Sequence, residues 1–145
     1  MTDQIFLPDP QIPGWFSDTS DLPVFERRGP LTARLALTAA EVEAAQALRY
    51  QIFYEEMSAR PSAAQADVTR DFDNYDAVCD HLILTTCLPT EHVTEAALLP
   101  SGETVVGCYR LLRQSVAETH GGFYSADEFD LKPMLEKAGR GLNIL

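Results

Sequence analysis

Charged residues of both signs flank or interrupt two apolar runs in the middle of this sequence. Asp73 and Asp76 stand three residues apart in an acidic loop, and His81 opens the first apolar run that follows. Arg110 lies inside the second run, residues 105–112. Carboxylates at such a place can hold an ammonium group, or help to deprotonate an amine, which must be neutral to act as a nucleophile. A solvated acidic loop, or one that caps a turn, is the alternative interpretation.

Arg110 is the most informative of these residues because its neighbours in the sequence are apolar. A buried arginine requires a carboxylate partner, since an unpaired buried charge costs several kcal/mol. We therefore expect Arg110 to pair with Asp73 or Asp76 and to hold the acidic loop over a sheet, unless its side chain points to solvent. Arg49, at the edge of the apolar face of a predicted helix, allows the same two interpretations.

His81 is a candidate base at the entrance to a strand, although a lone histidine beside an apolar run is more often a core or capping residue. The sequence contains no readable Ser-His-Asp or Cys-His arrangement and gives no support to covalent catalysis. Direct attack of an amine on a thioester needs only positioning, a proton acceptor and donors at the developing oxyanion. Cys79, Cys87 and Cys108 lack metal-ligand spacing, and we expect them to be small buried residues in a reducing compartment.

Hydrophobic periodicity and turn signals predict alternating strands and helices. The segment Thr38-Ala39-Ala40-Glu41 is a capping box, in which the two polar side chains satisfy the first amides of a helix. The helix that follows, 39–57, should bury one face, which contains Val42, Ala45, Leu48, Ile52 and Phe53. The other predicted elements are a strand at 31–37, a loop with a short helical turn at 58–69, strands at 80–87 and 103–112, a helical turn at 114–120, a helix at 128–137 and the start of a strand at 142–145.

The two ends of the chain differ in character from its centre. Residues 1–30 are rich in proline and glycine, which favours an extended arm over a regular element. We expect residues 31–145 to form the N-terminal portion of an α/β domain. Its last predicted strand stops at its fourth residue, as expected of a chain that is cut short. A free sheet edge at that place would favour dimerisation or strand exchange.

The composition predicts a globular protein of one domain. The 145 residues are 46% hydrophobic and 23% charged, and the net charge is −11. So acidic a chain is unsuited to charge-driven binding of nucleic acid or of an anionic membrane, although a hydrophobic contact with a membrane stays open. No apolar run reaches the length of a spanning helix, and the N-terminus lacks the features of a signal peptide. We expect a cytoplasmic protein.

Four segments of the sequence form a pattern: LRYQIFYEEM at 48–57, DNYD and CDHL within 73–82, VVGCYRLL at 105–112, and GGFYS and EFDL within 121–131. Their order and spacing resemble those of the ornithine N-acyltransferases of ornithine-lipid synthesis, also called haemolysin-like acyltransferases, which have a GNAT-type fold. The order of the predicted elements is similar to the first half of that fold, a mixed, mostly antiparallel sheet with flanking helices. The resemblance covers about residues 31–145.

This resemblance implies transfer of a 3-hydroxy fatty acyl group from acyl carrier protein to the α-amine of ornithine, which gives a lyso-ornithine lipid. The acyl thioester would be a co-substrate, with no bound cofactor and no metal. A cytoplasmic enzyme, in peripheral contact with the inner face of the membrane, would fit that product. The implied catalytic residues are Asp73, Asp76 and Arg110, and the implied substrate-binding residues are Arg49, Phe53, His81 and Phe123.

Two other interpretations stay open. The acyl-homoserine-lactone synthases are similar in fold, and their charged cluster corresponds to Arg49, Asp73, Asp76 and Arg110, with Phe53 alongside. Their amine donor is S-adenosylmethionine rather than ornithine. The other interpretation is a truncated domain without catalysis that acts only through interactions. Both enzyme families are expected to contain a pattern like Glu-Leu-Gly-Arg just after the point where this sequence stops.

Overall fold

In the part of the chain that the structure describes, four antiparallel strands form one sheet, and their order in the sheet is their order in the chain. The structure is a computed structural model, and it describes residues 24–138. The predicted mostly antiparallel sheet with flanking helices is confirmed. The strands are β1 Val24–Arg28, β2 Leu31–Leu35, β3 Asp80–Thr86 and β4 Thr104–Leu111.

The helices lie between β2 and β3, between β3 and β4, and after β4. No helix among residues 24–138 is long and apolar enough to cross a membrane. The predicted C-terminal helix begins four residues later than expected, with Pro133 in its first turn as predicted. The helices are α1 Ala39–Tyr50, a π-helical segment Gln51–Glu56, α2 Ala63–Val68, a 3-10 turn Glu95–Ala97, α3 Gln114–Ala117, a second 3-10 turn Tyr124–Asp127 and α4 Lys132–Ala138.

The first strand corrects the prediction of an extended arm over residues 1–30. Val24–Arg28 pair with β2 through a tight hairpin, in which Gly29 has the positive φ of 59° that such turns require. Four of the five residues of β1 are exposed. Its sequence therefore lacks the alternation of apolar and polar residues from which a strand is predicted. Residues 1–23 of the predicted arm, and the predicted strand at 142–145, lie outside the described part of the chain.

The predicted capping box begins α1. Thr38 Oγ1 accepts a hydrogen bond from the amide of Glu41, and Glu41 Oε2 accepts from the amides of Thr38 and Leu37 at 3.1 and 2.7 Å. The other oxygen of Glu41 lies 2.6 Å from Nη1 of Arg34, a buried residue of β2. One glutamate therefore both caps the helix and fixes its first turn to the sheet.

Helix α1 packs against one face of the sheet and forms the core with it. Its central residues are buried on all sides, because β3 and β4 lie beneath it and the connection 89–102 contributes further apolar side chains. Alanines at the contact let the helix approach the strands closely. The buried core consists of Ala44, Ala45, Leu48, Ile83, Ala97, Leu99 and Val105.

An irregularity in β4 decides which side chains face α1. The pairing register between β3 and β4 shifts between Leu84 and Thr85, so that Val106 is an extra residue opposite β3. Residues paired across antiparallel strands point to the same face of the sheet. Arg110, paired with buried His81, therefore lies on the same face as buried Val105, although simple alternation would separate them.

Replacing Glu41 by alanine should destabilise the protein more than replacing Thr38 by alanine. Loss of the Thr38 side chain removes one capping bond and should lower the free energy of unfolding by about 1 kcal/mol. Loss of Glu41 also removes the nearest partner of buried Arg34 and should cost about 3 kcal/mol. Urea unfolding followed by circular dichroism measures both values, and equal losses would contradict the importance of the buried ion pair.

Candidate active site

A cavity of about 560 Å³ opens between the end of α1, the acidic loop, β4 and the segment that leads to α4. One part of its wall is formed by charged and polar side chains, and the other part is apolar. This division matches what a site needs when it joins a polar molecule to an apolar one. The residues that line it are Arg49, Phe53, Tyr75, Cys79, Cys108, Tyr109, Arg110, Leu111, Leu112, Phe123, Tyr124, Ser125, Leu131 and Met134.

Arg49 anchors the acidic loop from the helix side. Its Nε donates to Oδ2 of Asp71 at 2.8 Å, and its Nη2 donates to the backbone oxygen of Asp71 at 2.6 Å. Nη2 also lies 3.1 and 3.2 Å from the two carboxylate oxygens of Asp76. Arg49 is 8% exposed and Asp76 6% exposed, so each charge depends on the other for neutralisation.

Arg110 holds the same loop from the sheet side. Its Nη1 donates to Oδ1 of Asp73 at 2.6 Å and lies 3.5 Å from Oδ1 of Asp76. The predicted pairing of Arg110 with these carboxylates is confirmed, and the alternative of a solvent-facing arginine is wrong. We use the name charged cluster for Arg49, Asp71, Asp73, Asp76 and Arg110.

The π-helical segment explains how one helix supplies both the polar and the apolar parts of the cavity wall. Tyr54 donates its hydroxyl to Oδ1 of Asp71 at 2.8 Å, so Arg49 and Tyr54, five residues apart, meet the same carboxylate. In an α-helix residues five apart differ by about 140° in direction. The wider turn also turns Phe53 from the predicted buried face into the cavity wall, where it is 41% exposed.

Backbone amides of the acidic loop donate hydrogen bonds to the loop's own aspartate side chains. Asp76 Oδ2 accepts from the amide of Asp73 at 2.8 Å, and Asp73 Oδ1 accepts from the amide of Tyr75 at 2.8 Å. Burial alone would raise the pKa of Asp73, but the hydrogen bond and charge of Arg110 and this amide lower it below its usual value. Asp73 is therefore charged whenever the fold is intact near neutral pH, and it is a weak proton acceptor.

His81 lies beneath the charged cluster rather than in the cavity wall. It is 5% exposed, and its Nε2–H donates to the backbone oxygen of Asp76 at 2.9 Å. This position fits the alternative of a core histidine that supports the loop. Burial raises the pKa of the Cys79 thiol to about 11 and also raises that of Cys108, so neither is a ready nucleophile. Cys87 is exposed and Cys79 and Cys108 are only half-buried, so the prediction of three buried cysteines is wrong.

Aromatic rings cover the outer side of the cluster. The ring of Tyr75 meets those of Tyr124 and His120 edge to face, with centroids 5.4 and 5.5 Å apart. The guanidinium carbon of Arg110 lies 5.8 Å from the centroid of Tyr124. Tyr124 and Phe123 follow two glycines of positive φ, which let the chain turn back over the cavity.

The structure thus brings together Arg49, Asp73, Asp76 and Arg110, with Phe53 and Phe123 in the same cavity wall, and it separates His81 from that wall. Sequence reasoning missed Asp71 and Tyr54, which complete the charged cluster and hold it. The available signal was that Asp71 precedes Asp73 by two residues in an acidic run. Within residues 24–138 there is no group of three or more His, Cys, Asp or Glu side chains able to hold a metal ion.

Comparison with known proteins shows which family this chain belongs to. Residues 48–144 match the acetyltransferase (GNAT) domain family, and this stretch includes the whole charged cluster. No solved structure matches the chain.

Four relatives share the name L-ornithine N(alpha)-acyltransferase. The protein of Rhizobium meliloti is 46% identical over 79% of this chain and 36% of its own length. That of Brucella abortus is 42% identical over 81% of this chain and 39% of its own length. That of Rhodobacter capsulatus is 36% identical over 75% of this chain and 39% of its own length. The chain therefore spans somewhat more than a third of the length of these curated relatives.

Replacing Arg49 by methionine should lower the free energy of unfolding by about 3 kcal/mol, because Asp76 would stay buried without its nearest cation. Urea unfolding measures the loss. The control is Arg113→Met, which breaks the more exposed pair between Arg113 and Asp80 and should cost no more than about 1 kcal/mol. A loss of similar size in the two variants would contradict the role of Arg49 as the buried anchor.

The lowered pKa of Asp73 makes stability depend on pH in the acid range. Because the pKa of Asp73 in the folded protein lies below its ordinary value of 3.8, ionised Asp73 stabilises the fold above that pH. This stabilisation is lost as the pH falls through the pKa of Asp73 in the folded protein. Below about pH 4, the free energy of unfolding should therefore fall more steeply for the native protein than for Asp73→Asn. Asn74→Ala, in the same loop, removes no carboxylate and should follow the native curve. Parallel curves for the native protein and Asp73→Asn would refute this expectation.

Proposed function

The chain belongs to the acetyltransferase (GNAT) domain family, and from this premise we propose that it forms the amine-binding part of an enzyme that acylates the α-amine of L-ornithine. The names of its relatives support ornithine as the acceptor. The substrates and activity of the whole protein belong to this proposal, since the chain corresponds to 36% and 39% of the length of those relatives.

The observation that carries the proposal is the two-sided cavity. Its polar part contains Arg49 and Arg110, both fixed by carboxylates, and its apolar part contains Phe53, Phe123 and Met134. An amino acid with a charged side chain fits the first part, and an acyl chain fits the second. Because the two parts share one cavity, an amine and an acyl carbonyl can meet inside it.

The proposed reaction is a direct transfer. The neutral α-amine attacks the thioester carbonyl, a C–N bond forms and the C–S bond breaks. The thiolate that leaves takes up the proton that the amine loses, so the products are an amide and a thiol. Asp73 is suited to hold the ammonium form in place, because its lowered pKa makes it a weak base. The raised pKa of the Cys79 thiol argues against an acyl-cysteine intermediate. Arg110, in the same cavity wall, helps to position the acceptor for this attack.

We extend the proposal to the acyl donor by the resemblance of the sequence segments. A 3-hydroxy fatty acyl group on acyl carrier protein is the proposed co-substrate, with no bound cofactor. The apolar residues Leu131, Met134 and Phe129 of the segment 128–134 offer a path for such a chain, and Phe129 is 64% exposed. A cytoplasmic location at the inner face of the membrane, where a lipid product would leave, completes the proposal.

The names of the relatives also bear on the two alternatives. They favour ornithine over S-adenosylmethionine, and so an ornithine acyltransferase over a lactone synthase. A purely interacting domain would not need two arginines that line a cavity and are each held by buried or half-buried carboxylates. The amine-binding role is therefore the one that best uses the geometry.

The test is an acyl-transfer assay on the gene product that contains this sequence. With 3-hydroxyacyl thioesters of acyl carrier protein, mass spectrometry should detect acyl-ornithine when L-ornithine is the acceptor and no lactone when S-adenosylmethionine is. Arg110→Ala should lower the rate of acyl-ornithine formation at least a hundredfold, about 3 kcal/mol of transition-state stabilisation. Arg113→Ala, outside the cavity wall, should stay near the native rate. Lactone as the product, or an unchanged rate in a stable Arg110→Ala variant, would refute the proposal.

A further inference from the structure

We propose that the ion pair between Arg110 and Asp73 is the recognition site for the head group of a free α-amino acid. In this arrangement the α-carboxylate binds the outer edge of Arg110, and the α-ammonium binds the outer oxygen of Asp73 before it is deprotonated. The inference rests on the proposed function and deepens it, because it makes the free carboxylate of the acceptor a requirement for binding.

Arg110 retains hydrogen-bond donors for a ligand. Only Nη1 of its guanidinium is hydrogen-bonded within residues 24–138, whereas Nε and Nη2 make no such bond there. The side chain is 22% exposed and lines the cavity. A guanidinium with one nitrogen held and the others free presents a planar edge, which is the geometry that binds a carboxylate through two parallel hydrogen bonds.

Asp73 provides the matching acceptor. Its Oδ1 is occupied by Arg110 and by the amide of Tyr75, but its Oδ2 accepts no hydrogen bond from the described part of the chain. Its side chain is 39% exposed, while those of Asp71 and Asp76 are 15% and 5% exposed and face Arg49. Of the three carboxylates in the charged cluster, Asp73 is therefore the one that a ligand ammonium can reach.

The spacing of these groups fits one small head group. Nη1 of Arg110 and Oδ1 of Asp73 are 2.6 Å apart, so the guanidinium and the carboxylate that would bind the head group are in direct contact. An α-amino acid has its carboxylate and its ammonium on one carbon and can engage both at once. The charged cluster contains three aspartates and two arginines, a net charge of −1, which complements an amino acid with an additional cationic side chain.

Two further features surround this ion pair. Nη1 of Arg49, a residue of the same cavity wall, is buried and has no hydrogen-bond partner among residues 24–138, so one N–H donor there lacks an acceptor. The ring of Tyr124 lies over the guanidinium of Arg110, with 5.8 Å between its centroid and the guanidinium carbon. The first feature favours a ligand with an acceptor group, and the second helps to keep Arg110 in place.

Binding measurements separate this inference from the proposed chemistry. Calorimetric titration of the native chain with L-ornithine should give an affinity at least about tenfold higher than with 1,4-diaminobutane, which lacks the carboxylate, or with L-ornithine amide, which has no negative charge there. No acyl donor is needed, so the result does not depend on acyl transfer.

Variants assign the two contacts. Arg110→Lys retains the charge and a partner for Asp73, but it loses the planar edge, and it should weaken ornithine binding about tenfold while leaving 1,4-diaminobutane unchanged. Asp73→Asn should weaken the binding of both compounds. The control Arg113→Lys, at the pair with Asp80, should bind ornithine like the native chain. Thermal unfolding verifies that each variant is folded.

Each other outcome overturns the inference. Equal affinity for ornithine, its amide and 1,4-diaminobutane would show that the carboxylate is not recognised, while acyl transfer to ornithine in the full assay would still support the proposed function. Native ornithine binding in Arg110→Lys would place the carboxylate elsewhere. Failure of the native chain to bind any of these compounds would mean that Arg110 and Asp73 do not form an amino-acid site, and acyl-transfer assays alone would then decide the proposed function.

Discussion

The buried contact between Arg49 and Asp76 is the constraint on which the site depends. Neither charge is tolerable alone in the interior, because removing an ion from water costs several kcal/mol unless a partner and hydrogen bonds replace the water. The carboxylate of Asp76 also accepts a hydrogen bond from the amide of Asp73, and its backbone oxygen accepts one from Nε2 of His81. If the acidic loop moved away from α1 and β3, the charge of Arg49 or Asp76 would lose its partner or become exposed to water. Its rigidity gives Asp73 and Arg110 a fixed position at the cavity.

Two departures from regular secondary structure set the directions of the side chains around the acidic loop. The bulge at Val106 places Arg110 on the same sheet face as the core, beneath the acidic loop. The π-helical turn brings Tyr54 and Arg49 to one carboxylate and leaves Phe53 in the cavity wall. In many proteins, π-helical turns and β-bulges change the direction of side chains next to functional sites. In this protein the π-helical turn and the bulge lie on opposite sides of the acidic loop.

The cavity combines a fixed polar part with an apolar part. Ion pairs connect α1, the acidic loop and β4 in the polar part. Besides Phe53, the apolar part includes side chains from the segment with Phe123 and from α4, and Tyr124 of that segment contacts the polar part through its aromatic ring. Such a division suits the proposed function, in which an amine is held in a defined orientation while a flexible acyl chain is accepted.

The sequence by itself determined the features that depend on near neighbours. The capping box at Thr38, the strands around Ile83 and Val105, and the need of Arg110 for a carboxylate all follow from local spacing and from the cost of a buried charge. Only the tertiary structure decided where the regular period breaks, since a bulge or a π turn is stabilised by contacts across the fold rather than by its own residues. For the same reason the structure alone showed that Asp71 joins the cluster, that β1 is a strand and that His81 lies in the core.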